Sequence, residues 1–229
     1  MNSPLLQVVN VSNTYSSRRL GIFGRKEEKP VLKGVSLEIQ KGEIFGLTGV
    51  SGCGKTTLAR CILGFVSYSG EILINGIAVK ERPKMAGAVF QDPGGALNPV
   101  KKIGWLLEEP LKVNNTGTKK ERIMEVDRVL SLAGLDSTYK ERRPHELSSG
   151  QKQRVSICCA LMLKPPLIIA DEPVSALDAS SGAQIINLFR ELNETLGLSL
   201  LFISHNTSLV SYLCDRTAVM ENGKITENR

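Results

Sequence analysis

The first ninety residues carry short apolar or alternating segments, which predict β-strands. Residues 35–39 alternate apolar and polar side chains, as expected of a half-buried strand. Residues 44–48 form an apolar run that ends at a glycine-rich loop, after which we expect a helix to begin near Lys55. The polar, basic stretch 16–29 is predicted to be a solvated loop between strands. Further strands are predicted at residues 5–11, 71–74 and 88–90.

The pattern becomes helical after about residue 118. Thr118 and Glu121 form a capping box at the start of a helix that Gly134 closes. A second helix is predicted from about residue 149 to residue 163, where a proline pair stops it. The apolar residues that share one face of the first helix are Ile123, Val126, Leu130 and Ala133.

Beyond residue 160, buried strands alternate with helices. Residues 167–170 and 200–203 are short apolar runs, and a helix that ends at Gly197 lies between them. Such alternation is typical of parallel β-α-β units. We therefore predict one α/β domain, residues 1–229, with a parallel core sheet, an antiparallel β subdomain at the front and a helical subdomain inserted at roughly 95–160.

Composition and charge narrow the class of protein. A chain of 229 residues with 41% hydrophobic and 23% charged residues can form a substantial core. No apolar run approaches the roughly 18 residues of a membrane span, and the N-terminus lacks the pattern of a signal peptide. The net charge is +6, but no aromatic-interleaved basic stripe indicates nucleic-acid binding. The five cysteines form no C-x-x-C pair, which favours reduced thiols over a zinc site or a disulfide framework.

Residues 49–56 fit the phosphate-binding pattern G-x-x-x-x-G-K-[ST]. Its glycines let backbone N–H groups approach phosphate oxygens, and the following helix directs its positive end at them. Lys55 would supply a full charge to the phosphates, and the Thr56 hydroxyl would bind Mg²⁺. The predicted nucleotide-binding residues here are Gly49, Ser51, Gly52, Cys53, Gly54, Lys55, Thr56 and Thr57.

The apolar run 167–170 ends in Asp171 and Glu172. Parallel strands bind ligands at their carboxyl ends, so a carboxylate delivered there can hold Mg²⁺. We assign that role to Asp171, and we expect Glu172 to act as the general base that polarises an attacking water. Alone, the pattern is equally compatible with an ordinary strand end, but it follows a phosphate-binding loop in the same chain.

Residues 147–151, Leu-Ser-Ser-Gly-Gln, place a serine and a bare backbone at a predicted helix N-terminus. Ser148 and Gln151 have the spacing of a capping box, so a well-capped helix would account for the chemistry alone. Lying some twenty residues before Asp171, however, the segment resembles the signature sequence of ABC ATPases. The commonest signature has glycine where this chain has Ser149, and we expect the small serine to preserve a working site.

This resemblance covers nearly the whole chain and implies roles for further residues. It implies that Tyr15 stacks on adenine, that Gln91 contacts Mg²⁺ and senses a membrane partner, and that His205 contacts the γ-phosphate. It also implies that Ser148, Ser149, Gly150 and Gln151 bind nucleotide. Residues 175–178 match the loop that crosses the dimer interface of the family. The implied catalytic residues are Glu172, His205 and Lys55.

A narrower resemblance is to the second of the paired ATPases in oligopeptide, dipeptide and nickel importers. It is carried by residues 21–25, 90–93, 97–99 and 109–111. Peptide-handling members often carry a longer, cysteine-containing C-terminal extension, and this chain stops at Arg229, which favours a metal or metal-chelate importer or a truncated chain. Peptides and nickel or other metal chelates both stay open as substrates.

The family resemblance also implies partners. These are a second ATPase subunit, in a heterodimer or a homodimer, two transmembrane permease subunits and, indirectly, an extracellular or periplasmic substrate-binding protein. We therefore expect a peripheral protein at the cytoplasmic face of the cell membrane that uses ATP and Mg²⁺. Two alternatives are a soluble ABC ATPase acting on nucleic acid or ribosomes, and an unrelated phosphate-loop kinase or GTPase, which would lack residues 147–151.

Overall fold

The computed structural model describes residues 3–18, 26–81 and 85–228. The chain divides into two compact units: the terminal unit, residues 1–85 with 201–229, and the central unit, residues 86–200. The strands are β1 (Leu6–Arg18), β2 (Lys26–Ile39), β3 (Ile44–Thr48), β4 (Ser69–Ile74), β5 (Ile77–Ala78), β6 (Ala86–Val89), β7 (Leu167–Asp171), β8 (Ser199–Ile203), β9 (Arg216–Glu221) and β10 (Lys224–Asn228). The helices are α1 (Lys55–Ile62), α2 (Pro93–Ala96), α3 (Ile103–Val113), α4 (Lys119–Leu132), α5 (Ser149–Leu161), α6 (Ala179–Leu196) and α7 (Thr207–Leu213). Short 3₁₀ helices span Ser137–Glu141 and Pro144–Glu146.

An antiparallel sheet forms one layer of the terminal unit, with strand order β2-β1-β4-β5. Leu6 of β1 pairs with Ile39 of β2 on one side and with Ile74 of β4 on the other. All three side chains are fully buried. The strands predicted at 5–11, 35–39 and 71–74 are thereby confirmed, although β1 and β2 extend well beyond the predicted ranges.

The prediction of a loop at residues 16–29 is wrong at both ends of that stretch. Ser16 pairs with Glu28, and Arg18 pairs with Lys26, so the β1–β2 ribbon continues well into this stretch. Backbone pairing joins these residues, and a polar segment shows no apolar alternation from which a strand could be predicted. Residues 21–25, part of the narrower resemblance, lie outside the described residues.

Parallel strands form the other layer of the terminal unit. Phe45 of β3 pairs with Arg216 of β9 in parallel, and β9 pairs with β10 in an antiparallel hairpin. All five residues of β3 are buried. A Cβ on Gly46 would lie only 2.4 Å from Cγ1 of Val210, so the Val210 side chain of α7 packs directly on the Gly46 backbone. Strands β9 and β10 were not predicted from the sequence. Between them lie Asn222 and Gly223, both at positive φ, and an Asn-Gly pair is a sequence pattern that indicates a hairpin.

The central unit contains β6 and β7, which pair in parallel with Ala86 opposite Leu167. A Cβ on Gly87 would lie 2.6 Å from the carbonyl oxygen of Ala160, so glycine is needed where β6 passes α5. Both strands were predicted, at 88–90 and 167–170. Strand β8 contains the boundary between the two units.

The predicted helices of the central unit are confirmed. The backbone N–H of Thr118 donates to Glu121 at 2.7 Å, and the N–H of Glu121 donates back to the Thr118 hydroxyl at 3.3 Å, which completes the expected capping box. α6 ends at Gly197, whose φ of 62° is the left-handed value of a helix C-terminus. Ile123 is an exception to the predicted buried face: it is 42% exposed, because α4 is buried through its second half, at Val126 and beyond.

Helix α3 was not predicted. It contains Pro110, which removes a helical N–H donor and argues against a helix in the sequence. The helix forms because Ile103, Leu107 and Leu111 recur every four residues and are buried. Helices α3 and α4 and nearly all of α5 fall within the predicted helical insert at 95–160, and the assignment of residues 1–229 to a single domain stays a prediction. Within the described residues, no helix combines the length and the apolar character needed to cross a bilayer.

Candidate functional site

The glycine-rich loop after β3 has a backbone that only glycine tolerates at its key positions. Gly49, Gly52 and Gly54 have φ of 146°, 78° and 119°. A Cβ on Gly49 would lie 2.2 Å from the carbonyl oxygen of Met220, so any side chain there would collide with backbone. A Cβ on Gly52, in contrast, would meet no described atom within 4 Å. The loop therefore presents an open concave backbone, as a phosphate group requires.

Lys55 is buried within this loop, at 7% exposure. Its ammonium group donates to the carbonyl oxygens of Gly49 at 2.7 Å and Val50 at 3.1 Å, and it lies 3.8 Å from the Cys53 sulfur. A buried cation is costly unless its charge is balanced. The loop carbonyls supply hydrogen bonds but no negative charge, so an anion is the natural partner of this ammonium.

The start of α1 is also suited to an anion. Its N-cap is Gly54, which offers no side chain, and its first turn carries no acidic residue. The first N–H groups and the positive end of the helix dipole are therefore left for a ligand. The Thr56 side chain is exposed and that of Thr57 is half-buried, so their hydroxyls can reach a bound molecule. This arrangement fits the phosphates of a nucleotide.

Two further predicted residues belong to the terminal unit. His205 is exposed and follows Ser204, whose N–H donates to the carbonyl oxygen of Leu47 at 3.2 Å. Since Leu47 lies two residues before Gly49, this bond places His205 at the same end of the strands as the phosphate loop. Tyr15 lies on β1 opposite Lys29 and is 40% exposed, so part of the residue is accessible to a ligand.

In the central unit, Asp171 ends β7 and is buried, while Glu172 is half-buried. Glu172 has a φ of 51°, in the left-handed region that non-glycine residues avoid, and it precedes Pro173, which further restricts its backbone. Such a conformation costs on the order of 1 kcal/mol and persists only where the surroundings fix it. Strain of this kind clusters at functional sites, in agreement with the role predicted for Glu172.

The capping box predicted at the start of α5 is present. The N–H of Gln151 donates to the Ser148 hydroxyl oxygen at 3.3 Å, and the Ser148 N–H donates to the Gln151 side-chain oxygen at 3.0 Å. The Ser148 hydroxyl thus accepts a hydrogen bond from its own helix while its proton can be donated to another oxygen. Ser148 and Ser149 are exposed. The residue pattern predicted from sequence therefore forms a donor site at a helix N-terminus.

The signature segment packs on α6, the helix that residues 175–178 precede, within the central unit. A Cβ on Gly150 would lie 3.3 Å from Cβ of Ser181, so this glycine allows α5 to approach α6 closely. Asp178 caps α6 by accepting from the Ser181 N–H at 2.9 Å, and this backbone bond holds the pKa of Asp178 below its usual value. The Ser175 hydroxyl donates to the Glu172 carbonyl oxygen at 3.0 Å. One continuous segment thus connects Glu172 to the helix against which the signature packs.

Gln91 is exposed and follows β6, as predicted. A residue that the sequence analysis missed lies behind it. Gln153 is fully buried, and its side-chain N–H₂ donates to the carbonyl oxygen of Phe90 at 3.5 Å, so α5 holds the backbone next to Gln91. The available signal was a polar residue one turn before Ile157, on the apolar face of a predicted helix.

Two further properties concern metal-binding clusters and cysteines in the described ranges. No three His, Cys, Asp or Glu side chains cluster there in a way that could hold a metal ion. The five cysteines, all within those ranges, are free thiols, and burial raises the pKa of Cys61 to about 11.

Comparisons with known proteins agree with the geometry. The family described as ABC transporter matches residues 32–175. The dipeptide transport ATP-binding protein DppF of Escherichia coli is 39% identical over 236 residues, which cover 99% of this chain and 70% of that protein. The oligopeptide transport ATP-binding protein AppF of Bacillus subtilis is 43% identical over 224 residues, which cover 93% of this chain and 68% of that protein.

Solved structures agree as well. The structure of cbiO1 from Clostridium perfringens, described as part of the ABC transporter complex cbiONQ, has a TM-score of 0.84 at 28% identity and covers 99% of this chain and 88% of that one. The ATP-binding cassette MJ0796, solved as a dimer in a post-hydrolysis state with ADP and Pi, has a TM-score of 0.81 at 28% identity, with 98% and 97% of the two chains covered. This chain therefore belongs to the ABC transporter family, as an ATP-binding and ATP-hydrolysing component that works with Mg²⁺.

Proposed function

We propose that this chain is one ATPase subunit of an importer for peptides or for nickel and other metal chelates. The observation that carries the proposal is the phosphate loop, in which a buried Lys55 ammonium lies beside an uncapped helix start. Gly49 and Gly54 allow the backbone its positive φ angles in close packing, and Gly52 leaves the loop open to phosphate oxygens. Ser51, Cys53 and Thr57 complete the loop. Tyr15 stacks on the adenine ring.

The residues that we assign to hydrolysis come from the terminal unit and from the central unit. In this proposal Thr56, Gln91 and Asp171 would hold Mg²⁺, and the ion would neutralise part of the phosphate charge. Glu172 accepts the proton of the attacking water, and His205 holds that water and the γ-phosphate in line by hydrogen bonds. The fixed backbone of Glu172 supports this role, because a general base must be held in one place.

The signature residues Ser148, Ser149 and Gly150 act on a nucleotide held by a second ATPase subunit, and Gln151 belongs to the same segment. The exposed Ser148 hydroxyl supports this assignment, because it can donate its proton outward while Gln151 holds it from within. Binding of ATP would close the pair of subunits, and hydrolysis would reopen it. A heterodimer with a different ATPase is our first choice, and a homodimer is the alternative outcome.

The remaining proposed partners are the other components of an importer. Two permease subunits would take up the closing motion through the segment after Gln91, and a substrate-binding protein would deliver solute on the other side. The chain would then lie at the cytoplasmic face of the cell membrane as a peripheral protein. The relatives named above are peptide transport proteins, which supports peptides as the first substrate class. They lend no support to a soluble ABC protein that acts on nucleic acid or ribosomes.

Uptake in a strain that lacks this gene tests the proposal. We expect loss of radiolabelled oligopeptide uptake, restored by the wild-type gene and not by Glu172→Gln. A parallel assay with nickel-63 separates the two substrate classes. Unchanged uptake of both solutes in the deletion strain would contradict the importer assignment.

A further inference from the structure

The side chain of Gln151 is bonded inside the protein at both ends. Its oxygen accepts from the Ser148 N–H at 3.0 Å, and its N–H₂ group donates to the phenol oxygen of Tyr139 at 2.9 Å. A side chain used in this way has little left to offer a nucleotide. Through these two hydrogen bonds Gln151 connects Ser148 to Tyr139.

Tyr139 is itself held firmly. It lies in the 3₁₀ helix Ser137–Glu141, whose N-cap Asp136 accepts from the Thr138 N–H at 2.8 Å. The Arg142 guanidinium lies 4.0 Å from the centre of the Tyr139 ring, a stacked cation–π contact. The stacked cation restrains the ring and the 3₁₀ helix restrains the backbone, which limits the positions from which the hydroxyl can meet Gln151.

The same 3₁₀ helix is attached to the N-terminus of α3. The Ile103 N–H donates to the Arg142 carbonyl oxygen at 2.9 Å, and the Lys102 ammonium pairs with Glu141 at 2.6 Å. A Cβ on Gly104 would lie 3.1 Å from Cβ of Lys140, so the two segments touch at backbone distance. A chain of direct contacts therefore runs from α3 through Tyr139 and Gln151 to Ser148.

We propose that Tyr139 is a positioning residue for ATP hydrolysis, which fixes the Ser148 hydroxyl through Gln151 and ties its position to α3. The inference rests on the proposed role of Ser148 at a nucleotide. Displacement of a hydrogen-bond donor by even a fraction of an ångström weakens its bond in the transition state more than it weakens overall nucleotide binding. Loss of the Tyr139 hydroxyl should therefore lower kcat with little effect on KM.

Tyr139→Phe tests this, because it removes one oxygen and keeps the ring under Arg142. We expect kcat for ATP to fall about threefold to tenfold, the worth of one ordinary hydrogen bond, with unchanged stoichiometry and affinity for MgATP. Tyr68→Phe is the matched control: the buried Tyr68 hydroxyl has no hydrogen-bond partner within the described chain, and we expect wild-type turnover.

A double-mutant cycle separates positioning from general stability. If Tyr139 acts through Gln151, then Tyr139→Phe combined with Gln151→Met should turn over no more slowly than Gln151→Met alone. Additive losses would show that Tyr139 acts by another route and would overturn the inference.

Ser148→Arg, measured beside these variants, separates the role of Tyr139 from the proposed role of Ser148. Loss of turnover in Ser148→Arg with wild-type turnover in Tyr139→Phe would overturn the role of Tyr139 alone. Full turnover in Ser148→Arg would overturn the proposed role of the signature serine and, with it, the inference.

Discussion

At the scale of single residues, the candidate site combines buried charge with a strained backbone. Lys55 is buried against carbonyl oxygens that cannot neutralise it, and Glu172 has a left-handed conformation immediately before a proline. Both arrangements cost free energy, and the charge of a bound nucleotide would offset the first of them.

Lys55→Ala should abolish ATP hydrolysis. Removal of a charge-assisted partner from a partly desolvated phosphate site costs about 2–5 kcal/mol of binding free energy. Turnover and fluorescent-nucleotide affinity should both fall to background, while the circular dichroism spectrum stays native. Arg60→Ala, at an exposed position on the same helix, is the control and should behave as wild type. Near-normal turnover in Lys55→Ala would refute the assignment of this loop.

Glu172→Gln should separate binding from hydrolysis. The amide keeps the size of the carboxylate but cannot accept the proton of the attacking water. We expect normal MgATP affinity, turnover reduced at least about a hundredfold, and an ATP-dependent dimer that persists longer in size-exclusion chromatography. Glu194→Gln, exposed on α6, serves as the control. Unimpaired turnover in Glu172→Gln would exclude this residue as the base.

The sequence was sufficient for those site residues whose chemistry is local. The phosphate loop is a contiguous pattern, and the Ser148–Gln151 capping box spans only one helical turn. Tyr139 and Gln153 could not be assigned roles in the same way. Their roles depend on contacts with residues 12 and 63 positions away along the chain, and no local pattern encodes such a pairing.

At the scale of secondary-structure elements, α3 and α4 are joined by charge as well as by apolar packing. Glu108 pairs with Lys112 one turn along α3 at 2.8 Å and with Arg122 of α4 at 3.1 Å. The Lys112 ammonium, together with the Arg122 guanidinium and the partial burial that opposes them, leaves the pKa of Glu108 below its usual value. A carboxyl group whose pKa is lowered by folding stabilises the folded state above its unfolded pKa.

Glu108→Gln should therefore lower the free energy of unfolding by about 1 kcal/mol at pH 7. The difference from wild type should shrink as the pH falls through the lowered pKa of the folded state, because wild-type Glu108 is then neutral too. Urea denaturation at pH 7 and near pH 3 measures this. Glu109→Gln, exposed on the same helix, should show no such pH-dependent difference. A Glu108→Gln deficit that persists undiminished at low pH would contradict the ion-pair explanation.

Elements were predictable where their apolar pattern is regular. β3 and β7 are continuous buried runs, and α4 and α5 begin at capping boxes, so all four were predicted. The C-terminal end of β1 and the N-terminal end of β2 were not, because their polar sequence carries no apolar alternation and the strands are seen only in their backbone pairing. α3 was missed because tertiary burial outweighs the cost of Pro110 within it.

At the scale of the whole molecule, the predicted functional residues divide between the two compact units. The terminal unit contains Tyr15, the phosphate loop 49–57 and His205, and the central unit contains Gln91, the signature 147–151 and Glu172. One chain thus carries both a site that can hold phosphate and a hydroxyl donor that can serve another subunit's phosphate. The central claim of our account is that ATP hydrolysis needs this sharing between two ATPase subunits.

The rate of ATP hydrolysis as a function of protein concentration tests that claim most directly. We predict slow turnover by the isolated chain, rising more than linearly with concentration, or stimulated beyond the sum of the parts by a different ATPase partner. Ser148→Arg should block this closure by its bulk and leave ATP binding nearly intact, whereas Ser131→Arg, at an exposed position on α4, should not. A strictly linear rate that neither Ser148→Arg nor any partner alters would show a self-contained active site and would contradict the account.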